Sequence, residues 1–328
     1  MKSNKIRLGE QCVVTSSKRF HLSERITQGV PFYCSKEIIK KFNGEDVTEC
    51  DYISEDLYKK VSNEFGVPKE NDLLITTRGT IGIPYLYKRT DRFYFADGNL
   101  TWIKDFDSNL YSKFLYYWFQ SYEGRKKFEA LAKGTAQKAV PISGIKTLEI
   151  ELPSLKSQKR IADILSAYDD LIENNQKQIK LLEEAAQRLY KEWFVDLHFP
   201  GHENTKIVDG VPEGWNEKTL SQVANVIMGQ SPKSEFYNSE KKGLPFHQGV
   251  GSYGVRFVMD DIYSTSYTRI AEPNSILFSV RAPVGRLNIT KNKVVIGRGL
   301  AAINQTDGCQ SYLYYLLKNK FFKDNVVG

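Results

Sequence analysis

Two short segments, Thr77-Arg78-Gly79-Thr80 and Val280-Arg281-Ala282-Pro283, each set an arginine among small residues. A guanidinium can hold a phosphate or the acceptor edge of a base, and small neighbours let backbone amides reach a phosphate too. The alternative is that Gly79, Gly82 and Gly285 only permit a turn and the arginine is solvated. A second polar loop, Gly134-Thr135-Ala136-Gln137-Lys138, offers Gln137 and Lys138, and a third, Gly229-Gln230-Ser231-Pro232-Lys233-Ser234, offers Ser231 and Lys233. A loop of Gly, Pro and Ser is more often only a loop. The candidate contacts to a polyanion are therefore Thr77, Arg78, Gly79, Thr80, Gln137, Lys138, Ser231, Lys233 and Arg281.

Signals for bond chemistry are sparse. There is no GxxxxGK[ST] phosphate loop, no glycine fingerprint for a dinucleotide, and no Asn/Asp-Pro-Pro-aromatic motif of an adenine methyltransferase. Glu240-Lys241-Lys242 has the tail of a nuclease motif, but no Pro-Asp precedes it on a strand, so it reads as a solvated turn. His198 and His202 flank Pro200 and are not expected to share a helix face as metal ligands. The four cysteines, Cys12, Cys34, Cys50 and Cys309, lack CxxC spacing and read as reduced thiols. The chain is expected to be non-catalytic and to need no cofactor or metal.

The elements that carry the candidate residues occur twice. Residues 7–14 have a counterpart in 219–226, Val30-Pro31-Phe32-Tyr33 in Leu244-Pro245-Phe246-His247, 71–82 in 274–285, and Phe114-Leu115-Tyr116-Tyr117 in Tyr312-Leu313-Tyr314-Tyr315. The order is the same in both sets. A period this long marks a duplicated domain rather than a solenoid. Each copy mixes strands rich in Val, Ile, Thr and Tyr with one or two helices, which is an α+β pattern. Aromatic residues cluster at Tyr111, Tyr116, Tyr117, Trp118 and Phe119, where helical spacing favours core packing over base stacking.

Between the copies lies one long helix. Ile161, Leu165, Tyr168, Ile172, Asn175, Ile179, Leu182, Ala186, Leu189 and Trp193 alternate in steps of four and three, the a/d seam of a coiled coil. Asn175 is its polar member, a residue that fixes register at a cost in stability. No Gly or Pro breaks residues 154–194, and Pro200-Gly201 close the segment. About 40 residues at 1.5 Å each make a rod of roughly 60 Å, which needs a second helix beside it.

Charge is distributed unevenly. The net +7 leaves residues 156–194 neutral and falls on the flanking regions, which suits nucleic-acid binding without establishing it. No apolar run approaches the length of a bilayer span, and the first residues lead into no signal-peptide core, so a cytoplasmic protein is expected.

The segment Leu152-Pro153-Ser154-Leu155-Lys156-Ser157-Gln158-Lys159-Arg160-Ile161-Ala162-Asp163-Ile164-Leu165, then Tyr168-Asp169-Asp170-Leu171-Ile172-Glu173-Asn174-Asn175 and Leu189-Tyr190-Lys191-Glu192-Trp193-Phe194, resembles the central conserved region of specificity subunits of type I restriction-modification enzymes. Val211-Pro212-Glu213-Gly214-Trp215 is similar to the opening of that family's second target recognition domain, and Gly134–Lys138 to a recurrent loop of it. The resemblance implies a non-catalytic subunit that reads a bipartite site in double-stranded DNA and directs methyltransferase (modification) and restriction subunits to it. It implies a first target recognition domain over 1–153, a coiled-coil spacer over 154–199 and a second domain over 200–328 that stops short of its closing strand and of a second conserved helix. The competing reading is a coiled-coil scaffold whose flanking domains bind protein; it calls for an apolar patch where the first calls for a basic groove.

The seam must be covered by the rod of a second copy or by helices of a modification subunit. The isolated chain is expected to dimerise or aggregate, with Ile172→Asp disrupting assembly while the flanking domains stay folded. A soluble monomer of the unaltered chain in sedimentation at micromolar concentration would overturn this.

Overall fold

A computed structural model of the chain describes residues 4–134 and 138–322. It divides into two compact units, Met1–Gln178 and Ile179–Gly328, with the division inside a single helix.

The first unit contains β1 (Asn4–Arg7), β2 (Val13–Thr15), β3 (Val30–Tyr33), α1 (Ser35–Phe42), β4 (Asp51–Ile53), α2 (Glu55–Glu64), β5 (Leu73–Thr76), β6 (Pro84–Leu86), β7 (Tyr94–Phe95), β8 (Leu100–Lys104), α3 (Ser112–Gln120), α4 (Tyr122–Glu129), α5 (Ile142–Lys146) and β9 (Glu149–Leu152). An antiparallel sheet runs β2-β8-β5-β6, and a smaller sheet, β4-β3-β7, pairs β3 and β7 in parallel. Strand β5 is covered on both faces, so it reads as an unbroken apolar run. Leu73 and Ile75 point into a core with Phe114, Leu115, Phe119 and Phe128, while Leu74 points into one with Tyr33, Phe93, Phe95 and Trp102. That split is the two-residue period of a strand. Strand β9 alternates exposed and buried, as Glu149-Ile150-Glu151-Leu152 requires, and pairs with β1 through Ile150 and Ile6.

Helix α6 (Leu155–Phe194) is continuous over 40 residues. Its first turns are held to the first unit by Gln158, fully buried, whose Oε1 accepts the Tyr111 N–H at 2.9 Å and whose Nε2 donates to the carbonyls of Asn109 and Pro153 at 2.8 and 2.9 Å. Both N–H donors of the carboxamide and its oxygen are thus partnered, whereas an unmet buried group would cost about 1–3 kcal/mol. Ala162, one turn on, is also fully buried, and Tyr117 donates its hydroxyl to Asp169 at 2.7 Å.

The second unit repeats the first. It contains β10 (Ile207–Val208), β11 (Val211–Pro212), α7 (Leu220–Val223), β12 (Ala224–Met228), β13 (Tyr237–Asn238), β14 (Leu244–His247), β15 (Tyr263–Ser264), β16 (Ile270–Ala271), β17 (Ile276–Ser279), β18 (Leu287–Ile289), β19 (Val294–Ile296), β20 (Leu300–Gln305) and α8 (Gln310–Phe322). Its main sheet, β12-β20-β17-β18, has the order of β2-β8-β5-β6, and β14 pairs with β19 in parallel as β3 does with β7. The repeated blocks of the sequence are thus repeated topology. The C-terminal half of α6 belongs to this unit: Tyr190 is buried, Phe194 packs on Tyr312 with ring centroids 4.8 Å apart, and Glu183 is paired with Arg256 and accepts the Tyr315 hydroxyl at 3.0 Å.

His247 ends β14 fully enclosed, with Nδ1 2.8 Å from Ser252 Oγ and Nε2 3.1 Å from Asp260 Oδ1. Burial lowers its pKa below the ordinary histidine value, against the opposing pull of Asp260 and Asp261. The unfolded chain takes up a proton as pH falls through about 6.5, while the folded unit resists it, so this stability is present above that pH and is lost as pH falls toward the lower folded value. The melting temperature of the second unit is expected to drop between neutrality and mild acid, and His247→Gln to flatten that slope. An identical slope in the variant would remove His247 as the cause.

Candidate nucleic-acid interface

The turn after β5 and the turn after β17 are built alike. In the first unit the buried hydroxyl Oγ1 of Thr76 accepts the Ile83 N–H at 2.9 Å, and the Gly82 N–H returns to the Thr76 carbonyl at 2.8 Å. In the second, Ser279 Oγ accepts the Arg286 N–H at 2.8 Å and the Gly285 N–H returns to the Ser279 carbonyl at 3.0 Å. Gly82 and Gly285 have φ of 83° and 85°, and a Cβ there would come 3.3 Å from the Phe128 ring and 3.1 Å from Phe321. Glycine meets both demands. The residues at the turn crests, Arg78 and Arg281, are exposed, and neither guanidinium has an ion pair among the described residues.

Two of the candidate loops come together in the first unit. The Thr77 carbonyl accepts the Val140 N–H at 2.9 Å, and Lys133 and Ala139 exchange backbone bonds of 2.9 and 2.8 Å, so the segment bearing Lys138 is strapped to the arginine turn. Between them is a cavity of about 350 Å³ lined by Ser16, Thr77, Arg78, Gly98, Lys133 and Val140 among others. Ser16 Oγ is shielded from solvent and has no hydrogen-bond partner among the described residues. Thr77 is buried, with its N–H on the Asn99 carbonyl at 2.9 Å, so its part is to hold the turn; Gly79, Thr80 and Lys138 are exposed. Gln137 lies outside the described residues.

The second unit assembles the equivalent edge. The Val280 N–H donates to the Gly299 carbonyl and the Gly229 N–H to the Leu300 carbonyl, each at 2.9 Å, which brings the Arg281 turn, the 229–233 loop and the 297–299 loop side by side. Ser231 Oγ accepts the Arg298 N–H at 3.2 Å and donates to Gln248 Oε1 at 2.8 Å. Lys233 is exposed, with Glu235 3.8 Å away. Ser16, Lys133, Gln248 and Arg298 were not singled out by sequence. Arg298 carried a signal, since it stands between Gly297 and Gly299, the setting that drew attention to Arg78.

Most of the α6 seam is exposed, while Ala186 packs against the core of the second unit. Ile161, Leu165, Tyr168, Ile172, Asn175, Ile179, Leu182 and Leu189 are all exposed, Leu182 by 70%, while Trp193 is half-buried. Ile164, Leu171 and Leu181 are exposed as well, so the apolar stripe is wider than an a/d seam.

Other constellations do not form sites. Ser252, His247 and Asp260 have the residue types of a nucleophilic triad, but the imidazole is sealed from solvent and braces β14. His198 and His202 approach to 5.4 Å between ring centroids, yet their Nδ1 atoms already face Glu192 and the Phe199 carbonyl. Among the described residues no group of three or more His, Cys, Asp or Glu is placed to hold a metal, and no helix is long and apolar enough to cross a membrane.

Residues 2–184 and 212–328 match the family described as type I restriction modification DNA specificity domain. The chain belongs to this family. It is 35% identical over 140 residues to the type I restriction enzyme MjaIX specificity subunit of Methanocaldococcus jannaschii, covering 41% of this chain and 32% of that one. With the MjaVIII specificity subunit of the same organism it shares 27% identity over 284 residues, 81% of this chain and 65% of that one. It spans 59% of the length of a third relative from that organism, to which it is 33% identical over 249 residues. The crystal structure of a type I restriction-modification system S subunit from M. genitalium aligns over 99% of this chain and 80% of its own, with a TM-score of 0.58 at 20% identity, which shows a shared fold.

In this family's setting Arg78→Ala is expected to weaken duplex DNA binding by about 1–3 kcal/mol and to relax preference within one half of the site. Unchanged affinity with unchanged preference would take Arg78 out of the interface.

Proposed function

We propose that the chain is a non-catalytic DNA-specificity subunit of a type I restriction-modification system, with one target recognition domain over residues 1–153, a spacer over 154–199 and a second domain over 200–328. The observation that carries this reading is the duplicated edge: the same hydroxyl-clamped turn lifts an exposed arginine, Arg78 or Arg281, from each unit. Two copies of one reading edge suit a bipartite site in double-stranded DNA. Arg78, Lys133 and Lys138 supply cations on the first edge, and Arg281, Arg298 and Lys233 on the second. Phosphate contacts position such a protein and base contacts specify its site.

The exposed stripe of α6 is the surface on which methyltransferase (modification) subunits, and through them restriction subunits, would assemble, with a second copy of the helix as the other occupant. Such a complex works on chromosomal DNA in the cytoplasm. Bond chemistry falls to the other subunits, because the polar residues of the two edges suit binding and positioning.

If the two edges neutralise about six phosphates, duplex affinity should fall on the order of a thousandfold between roughly 50 and 200 mM salt. Titration of the full chain, assembled with its modification subunits, against duplex DNA tests this; a flat salt response would reject it.

A further inference from the structure

On the second edge one side chain stands apart from the cations. Gln248 directly follows β14, whose last residue, His247, is enclosed and bonded at both ring nitrogens, so its backbone starts from a rigid point. Its carboxamide is exposed but not free to turn. Ser231 Oγ accepts the Arg298 N–H at 3.2 Å and gives its own hydrogen to Gln248 Oε1 at 2.8 Å. That leaves Nε2 with two N–H donors and Oε1 with a second lone pair.

Three glycines make room for this arrangement. A Cβ on Gly297 would lie 2.6 Å from Gln248 Oε1, one on Gly299 would lie 2.4 Å from the Gln248 carbonyl oxygen, and one on Gly229 would lie 2.1 Å from the Gly297 carbonyl oxygen. The Oε1 end of the carboxamide therefore sits close against the bare backbone of Gly297. Arg298 follows Gly297 and Arg281 follows Val280, whose N–H is bonded to the Gly299 carbonyl, so two exposed arginines stand on the neighbouring backbone.

Fixed orientation is what separates a side chain that reads bases from one that only wets a surface. We propose that Gln248 is a specificity-determining residue of the second unit, reading an adenine in the major groove, with Ser231 as its positioning residue. Nε2–H donates to adenine N7 while the remaining Oε1 lone pair accepts from N6–H, a pairing that guanine, with an acceptor in place of that donor, cannot offer. Arg281 and Arg298 hold the backbone on either side. The proposal rests on the DNA-binding reading above and assigns one base contact within it.

Selection from a duplex pool with randomised positions, using the full chain assembled with its modification subunits, tests it. The unaltered chain is expected to return a two-part motif. Gln248→Ala should lose the adenine preference at one position of one half, by about tenfold, with the other half intact and the log–log salt slope unchanged. Gly297→Ala, which displaces the carboxamide without removing it, should erode the same position, and Ser231→Ala should weaken it. The proposal is overturned if Gln248→Ala returns the unaltered motif, if the lost preference is for another base, if both halves degrade together, or if affinity falls uniformly with a shallower salt slope, the mark of a phosphate contact. No motif at all from the unaltered chain would instead sink the DNA-binding reading itself.

Discussion

Two buried hydroxyls, Thr76 Oγ1 and Ser279 Oγ, decide where the polar edges of this protein stand. Each closes the turn at the end of a central strand by accepting an amide from the returning chain, Ile83 in one unit and Arg286 in the other. The strands beneath are covered on both faces, so the closure has nowhere to shift. Beyond it stand the arginine at the crest and the neighbouring loop, which is bonded to the residue before that arginine. The clamp is a local interaction with a long lever, and it occurs twice because the domain occurs twice.

Helix α6 answers a different constraint. It is anchored to the first unit through Gln158, Ala162 and the Tyr117–Asp169 hydrogen bond, and to the second through Glu183, Tyr190 and Phe194. Between those anchors Leu171, Ile172, Ile179, Leu181 and Leu182 are exposed, with Asn175 among them. The family segment holds both kinds of position: Gln158, Ala162 and Asp169 are anchors, whereas Ile161, Leu165, Ile172 and Asn175 belong to the exposed seam.

What the sequence disclosed follows from the range of the interactions involved. The helix was legible to within a residue because its signal is a local period repeated through residues 161–193, uninterrupted by Gly or Pro. The duplication was legible because strand-turn blocks such as 71–82 and 274–285 keep their order. The edge itself was only half legible. Arg78 and Arg281 announce themselves beside small residues, but Gln248 follows an ordinary strand and meets Ser231 only through a tertiary bond across 17 positions. Lys133 joins Arg78 through a backbone ladder that no side-chain pattern encodes. The parallel pairing of β3 with β7 and of β14 with β19 is of the same kind, a long-range choice made by the core.

Beyond the hydroxyl clamps and the Ser231 bridge, the loops of each edge are tied together by main-chain bonds, Thr77 to Asn99 and Val140 in one unit and Val280 to Gly299 and Gly229 to Leu300 in the other. Such bonds are indifferent to which side chain the residue carries. Arg78, Lys138, Arg281 and Arg298 can therefore be exchanged one at a time with little penalty to folding, whereas the anchoring residues of α6 cannot. The exposed polar residues of an edge can change while the fold beneath them stays, and the two edges can change separately. Evolvability, on this view, is written into the division between backbone-held rims and side-chain-held joints.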